Sequence, residues 1–363
     1  MAHQTVAVIV RLTGDVTEQR WSRDSVRVAN IRSRHARVVL AVGMRRVLVL
    51  GGTAWLGGEV ARAAISDGAE VVCLARGDSG AAPEGVCFVQ ADRTMPGAYE
   101  QVDSEWDEVI ELAYGPELVE SALDAFADRA RHWTLVSTVS VYRRNDEPGA
   151  DESAELVEPE HLTGYADAKV AAERVTDARL LGKLLVVRPG LIVGPGDPSE
   201  RFGYWPARMC RGGRVLTPTT AGRFVQVIDV ADLATWIVSA GRTGVTGIVN
   251  AVGESHALDA FLAEASAVAG FSGELVAVDD ALLLEHDVRY WGGPRSLPLW
   301  LPVSNAGFAQ RSNAAYLATG GVIRPLRETI ARVLEDEVAH DTKRPRRSGL
   351  NPEEETDLLA RSR

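Results

Sequence analysis

In GYADAKVAAERV, Tyr165 and Lys169 are spaced to stand one helical turn apart on a shared face. A phenol with its ordinary pKa of about 10 is a poor proton donor or acceptor at neutral pH. A neighbouring ammonium favours the phenolate and brings that group into a useful range. Upstream, TLVSTVSVY ends an apolar run on the hydroxyls of Ser137 and Thr138. A strand end there presents a hydroxyl to a bound carbonyl, so the three residue types together can move a proton on or off a carbonyl or alcohol oxygen. A tyrosine and lysine at this spacing also describe many ordinary helix faces, so the surrounding elements must decide.

Those elements begin with VLVLGGTAWLGGEVARAA, an apolar strand, a glycine-rich turn and a helix on which Leu56, Val60 and Ala64 repeat every four residues. Gly51, Ala54 and Gly57 occupy a G-x-x-G-x-x-G turn with alanine in the middle. The first glycine permits the bend, the last lets helix and strand approach, and the N–H groups opening the helix face a pyrophosphate. Alanine fits the middle position if its φ is negative, because only left-handed backbone demands glycine. The turn therefore assigns Gly51, Thr53, Ala54, Trp55, Leu56 and Gly57 to a dinucleotide cofactor.

Short apolar runs alternate with helical patterns as far as Leu184–Arg188, which predicts parallel βαβ units in a doubly wound α/β sheet with ligands at the strand ends. The second strand ends in LARGDSG. Arg76 there can pair with the 2′-phosphate of NADP, where an acidic residue would hold the ribose of NAD. A solvated strand-end arginine and a ribose contact from Asp78 are the competing readings, and the expectation is NADP ahead of NAD. Asp92, ending the third strand, is either an acceptor for the adenine amine or a turn-forming aspartate.

Beyond residue 190 the pattern loosens. Phe224–Ile228 and Asp229–Ala240 read as strand then helix, and Gly247–Ala251 as another strand. The expected division is 44–190 with 224–251 for the dinucleotide-binding domain, and 191–223 with 252–340 for a smaller, irregular C-terminal α/β substrate region. Residues 341–363 read as a charged tail in which Asn351, Pro352 and Glu354 form the start of a short helix. Residues 1–43 carry seven arginines against three acids and read as an extension preceding a fold that begins near Met44.

With 39 basic and 50 acidic residues the net charge is −11, which argues against nucleic acid or an anionic membrane as a partner. Three widely spaced cysteines and no metal-binding spacing predict a reducing, cytoplasmic setting without disulfides or metal. No apolar run approaches the roughly 18 residues of a membrane span.

Taken in order, the glycine turn, the strand-end hydroxyls and the tyrosine–lysine pair resemble the extended short-chain dehydrogenase/reductases, the NAD-dependent epimerase/dehydratase family, over about residues 44–330. The resemblance implies a Rossmann fold and a catalytic triad of Thr138, Tyr165 and Lys169. Thr138 matches in preference to Ser137 because the family's hydroxyl precedes a tyrosine, here Tyr142, by four residues. In the family the tyrosine exchanges the proton, while the lysine lowers its pKa and holds the nicotinamide ribose. Ala113 and Tyr114 would lie beside the cofactor, and VVRPGLIVGPGD, which matches the family's R-P-x-x-x-x-G-P segment, adds Arg188 to the cofactor-binding set. The resemblance also implies a homodimer.

Three departures narrow the substrate. Val139 and Ser140 replace the Asp-Glu pair of family dehydratases. Leu191 stands where nucleotide-sugar epimerases usually carry asparagine. Gly222 stands at their UDP-binding arginine, with Arg223 adjacent. The leading expectation is therefore an NADP-dependent oxidoreductase acting on a carbonyl or alcohol of a small metabolite, in a region where Tyr204, Trp205, Tyr290, Trp291 and Trp300 are either pocket or core. The alternatives are a nucleotide-sugar epimerase retaining NAD and a non-catalytic dinucleotide-sensing or RNA-binding regulator.

Overall fold

The computed structural model describes residues 44–361 together with two short strands, β1 (Val6–Val8) and β2 (Gln19–Trp21). These two form an antiparallel ribbon of their own; the reading of residues 1–43 as an extension lies otherwise outside the described residues. From Arg46 onward the chain is one compact unit.

Strands β3 (Arg46–Leu50), β4 (Glu70–Ala75), β5 (Cys87–Gln90), β6 (Trp106–Glu111), β7 (Ala130–Val136) and β8 (Leu184–Pro189) alternate with α1 (Trp55–Ser66), α2 (Pro116–Phe126) and α3 (Tyr165–Arg179). There follow β9 (Leu191–Val193), α4 (Arg201–Cys210), β10 (Arg214–Pro218), β11 (Phe224–Asp229), α5 (Val230–Thr243), β12 (Gly247–Ala251) and β13 (Ser255–Ala257). The remaining elements are α6 (Leu258–Val268), β14 (Glu274–Val278), α7 (Asp280–Glu285), β15 (Arg289–Trp291), β16 (Ser296–Pro298), α8 (Ala314–Ala318), α9 (Leu326–Ala339) and α10 (Pro352–Arg361).

The main sheet is wholly parallel in the order β12-β8-β7-β6-β3-β4-β5. Its strands carry unbroken buried apolar runs such as Val47–Leu50 because helices cover both faces. One face packs on α1 and α5 through Val60, Ala64, Leu233 and Ile237, the other on α2 and α3 through Val119, Leu123, Phe126 and Ala172. The order reverses between β3 and β6, so their loops part and open a crevice at the carboxyl ends.

β11 stands outside the main sheet, although its Ile228 packs into the core beneath it. Its parallel partner is β9, its antiparallel partner β13, and the three form a separate small sheet. The chain returns to the main sheet with β12, after α5 has packed on its face. The apolar runs looked alike in sequence because each is buried, whichever sheet receives it.

The C-terminal residues are not a loose tail. Asn351 and Glu354 exchange hydrogen bonds at 2.9 Å each, the reciprocal cap that starts α10. That helix buries Leu358 and Leu359 among Phe202, Trp205, Phe261 and Trp300 in the core of the substrate region. Glu355 ion-pairs with the buried Arg208 of α4 and accepts the Leu216 N–H at 3.0 Å. Glu355→Ala leaves that guanidinium uncompensated, and we expect a loss of about 3–5 kcal/mol in urea unfolding; a change under 1 kcal/mol would show that the ion pair does not hold α10 in place.

Candidate functional site

At the crevice, Gly51 adopts φ +101°, and a Cβ on Gly57 would stand 2.3 Å from the Gly51 carbonyl oxygen. Both positions therefore require glycine. Ala54 does not: its φ of −74° and ψ of 160° are ordinary extended backbone. The alanine costs the turn nothing. No side chain caps α1 and no acid lies in its first turn, so its opening N–H groups and positive dipole end are left for an anion.

A cavity of about 820 Å³ runs from this turn past Gly51, Thr53, Ala54, Arg76, Asp92, Ala113 and Tyr114. A second, of about 500 Å³, shares Ala54 and Leu112 with it and reaches Trp55, Leu56, Gly57, Thr138, Tyr165 and Lys169. The pair fits a dinucleotide, with the uncapped helix end between them suited to its pyrophosphate. Arg76 is exposed and lies 3.3 Å from Asp78. Asp92 accepts both the N–H and the hydroxyl of Thr94, bonds that hold its carboxyl below the usual carboxylate range. It forms a turn and lines the cavity at once.

One residue of the expected cofactor set lies elsewhere. Arg188 is fully buried on β8, its guanidinium against Glu173 at 2.6 Å and the Tyr142 hydroxyl at 3.0 Å, and lines neither cavity. Its donors are consumed inside the protein; it is a structural residue.

In the smaller cavity, Thr138 follows the end of β7 and caps the next turn, its hydroxyl accepting the Ser140 N–H at 3.1 Å. Ser137 instead donates to buried Glu173 and is spoken for. Lys169 is buried, donating to the carbonyls of Ala113 at 3.0 Å and Val136 at 2.6 Å. Burial pulls its pKa down to about 8 against the favourable charges of Glu111 and Glu173. Tyr165 keeps 52% of its surface. Packing around the hydroxyl raises its pKa, opposed by a hydrogen bond from Thr138 and by the charge of Arg201.

The charge of Arg201 favours the phenolate, while the Lys169 ammonium is held by the carbonyls of Ala113 and Val136. Sequence reasoning missed Arg201. Its signal was present: a basic residue opens α4, against the helix dipole, directly after the turn in which Asp197 accepts the Ser199 N–H at 2.8 Å. Of the five aromatics in question, only Trp291 lines this cavity, with Phe308 beside it; Tyr204, Trp205 and Trp300 are fully buried in the core.

A family model for the NAD dependent epimerase/dehydratase family matches residues 47–253. The chain belongs to this family. No curated protein sequence matches it. Among solved structures, it is similar to a candidate epimerase of Burkholderia cenocepacia J2315 (20% identity, 81% of this chain and 98% of that one, TM-score 0.64). It is also similar to the UDP-glucuronic acid 4-epimerase of Bacillus cereus, solved with NAD (13%, 82% and 100%, 0.60), and to RMD of Pseudomonas aeruginosa, solved with NADPH (17%, 82% and 100%, 0.57). At these identities the likeness is one of fold. Among the described residues, no helix is long and apolar enough to cross a membrane.

The buried ammonium makes a pH prediction. With a folded pKa of about 8 against an ordinary 10.5, the folded chain holds fewer protons than the unfolded one between those values. Raising pH through that window relieves the cost of burying the charge. In urea unfolding, wild type should gain on Lys169→Met by about 3 kcal/mol across it, and the difference should be flat below pH 8. A flat difference throughout contradicts the depressed pKa.

Proposed function

We propose that this family member is an NADP-dependent oxidoreductase that reduces a carbonyl, or oxidises the matching alcohol, on a small metabolite. The observation that carries the reading is the meeting of Thr138, Tyr165 and Lys169 in one cavity continuous with the glycine turn. When bound, the nicotinamide supplies or takes up the hydride. The chain's own residues handle the oxygen. Thr138 donates a hydrogen bond to it, and Tyr165 gives it a proton as the carbonyl becomes an alcohol or removes one in the reverse direction. Arg201 favours the phenolate left behind. Lys169 spends two of its three N–H donors on Ala113 and Val136, and the third is available to the nicotinamide ribose.

Exposed Arg76 on the lining of the larger cavity supports NADP over NAD.

A nucleotide-sugar epimerase retaining NAD is the second reading, favoured by the family and by the 4-epimerase neighbour. Arg223, the residue able to replace the family's UDP-binding arginine, weighs against it. It is buried and committed to Asp280, to the Leu301 carbonyl at 3.0 Å and to Thr219. NAD retained through purification, with interconversion of UDP-sugars, would decide for the epimerase.

Tyr165→Phe should lower kcat by about 10²–10⁴-fold while nucleotide affinity, read by fluorescence titration, stays unchanged; full turnover in the variant would remove the tyrosine from the chemistry. Arg76→Ala should weaken NADPH binding by about 10-fold and leave NADH within twofold. Wild type that prefers NADH reverses the cofactor assignment.

A further inference from the structure

Arg201 stands on the side of the cavity that holds Tyr165, and its surroundings are unlike those of the protein's structural arginines. Its Nε donates to Ser199 Oγ at 3.1 Å, and that hydroxyl donates in turn to Asp197 at 2.9 Å. The carboxylate of Asp197 is already occupied by the N–H and hydroxyl of Ser199. The guanidinium lies 4.9 Å from the centre of the Trp291 ring. Trp291 is held at φ +73°, a conformation costly for a bulky side chain. Among the described residues no carboxylate lies within ion-pairing distance of Arg201, and neither terminal nitrogen has a protein partner. The result is a fork of donors fixed in orientation by a stack and one hydrogen bond, half-buried, with its remaining N–H groups free in the cavity.

A guanidinium so arranged matches a planar or tetrahedral oxyanion, which it binds through two parallel charge-assisted bonds. We propose that Arg201 is the specificity residue of this site and that the substrate carries an oxyanion, a carboxylate or a phosphate, close to the carbon whose oxygen meets Tyr165. This rests on the oxidoreductase reading and deepens it. The substrate class becomes short oxo acids or oxo phosphates with their hydroxy counterparts. The same charge then serves twice, holding the substrate's anion and favouring phenolate at Tyr165.

The test uses the full chain, with and without NADPH, and two probe pairs: 2-oxobutanoate against its amide, and dihydroxyacetone phosphate against dihydroxyacetone. Affinities are read by calorimetry, and turnover by NADPH oxidation. The charged member of at least one pair should bind about 10-fold or more tightly than its neutral twin, and the pair that shows the preference identifies carboxylate or phosphate. Arg201→Gln should erase the preference, Arg201→Lys should keep part of it, and both should bind NADPH as wild type does. Equal affinity for charged and neutral probes in wild type overturns the proposal without recourse to any variant, as does a preference that survives Arg201→Gln. Nucleotide titration keeps the two readings apart. A chain that binds neither nucleotide fails the oxidoreductase reading, while the probe pairs still judge Arg201.

Discussion

Lys169 ties the site together by being held at two places at once. Its ammonium bonds the carbonyl that ends β7 and the one just beyond β6, so α3 is pinned across the strand ends and Tyr165, one turn earlier, is carried over the crevice. An ammonium this deep is stable only among compensating charges and acceptors. Glu111 and Glu173 provide the charges, and each is tied in turn to an arginine, Arg93 at 2.9 Å and Arg188 at 2.6 Å. Glu111 also accepts the Ala113 N–H at 2.8 Å, so it shapes the same loop whose carbonyl Lys169 uses. The floor of the cavity is thus a buried ionic lattice, and its geometry fixes where the tyrosine hydroxyl can be.

The elements that build this floor were legible in the sequence because their rules are local. Apolar runs between helical repeats gave parallel strands, and the glycine spacing gave the turn, including the reason Ala54 fits. Tyr165 and Lys169 share a face by helical arithmetic alone. What could not be read depended on partners far along the chain. Arg188 occupies a position the resemblance assigned to the cofactor, but Glu173 and Tyr142 take its donors. β11 has the pattern of a main-sheet strand, yet its neighbours are β9 and β13. The aromatics of 290–300 have a composition that suits pocket and core equally, and only the path of the backbone separates Trp291 from Trp300.

The substrate region shows the same dependence on distant pairing. Its core unites α4, α6, α9 and α10 from four stretches of chain. The α4 helix is anchored at its far end by Glu355 of α10 and along its length by Trp205, whose indole donates to the Pro298 carbonyl at 2.8 Å. Packing from the last residues of the chain therefore sets the position of the first residue of α4, which is Arg201. A charge read in sequence as one of many becomes a defined feature of the cavity only once that core is assembled.

The state of pairing sorts the arginines near the site better than their place in a motif. Arg93, Arg188 and Arg223 are buried or nearly so and face carboxylates; separating any of them from its partner would strand a charge in low dielectric, so none is free to meet a ligand. The ion pair of Arg76 is with a solvent-exposed aspartate, Asp78, an attachment weak enough to exchange for a phosphate. Arg201 meets no carboxylate at ion-pairing distance and is steadied by an indole and a hydroxyl, neither of which neutralises it. The charge of Asp197 reaches it only through Ser199, so its terminal N–H groups remain open to charge-assisted bonds with a ligand anion. Arg76 lines the larger of the paired cavities and Arg201 the smaller, so under the proposed reading one would meet the cofactor and the other the molecule it acts upon.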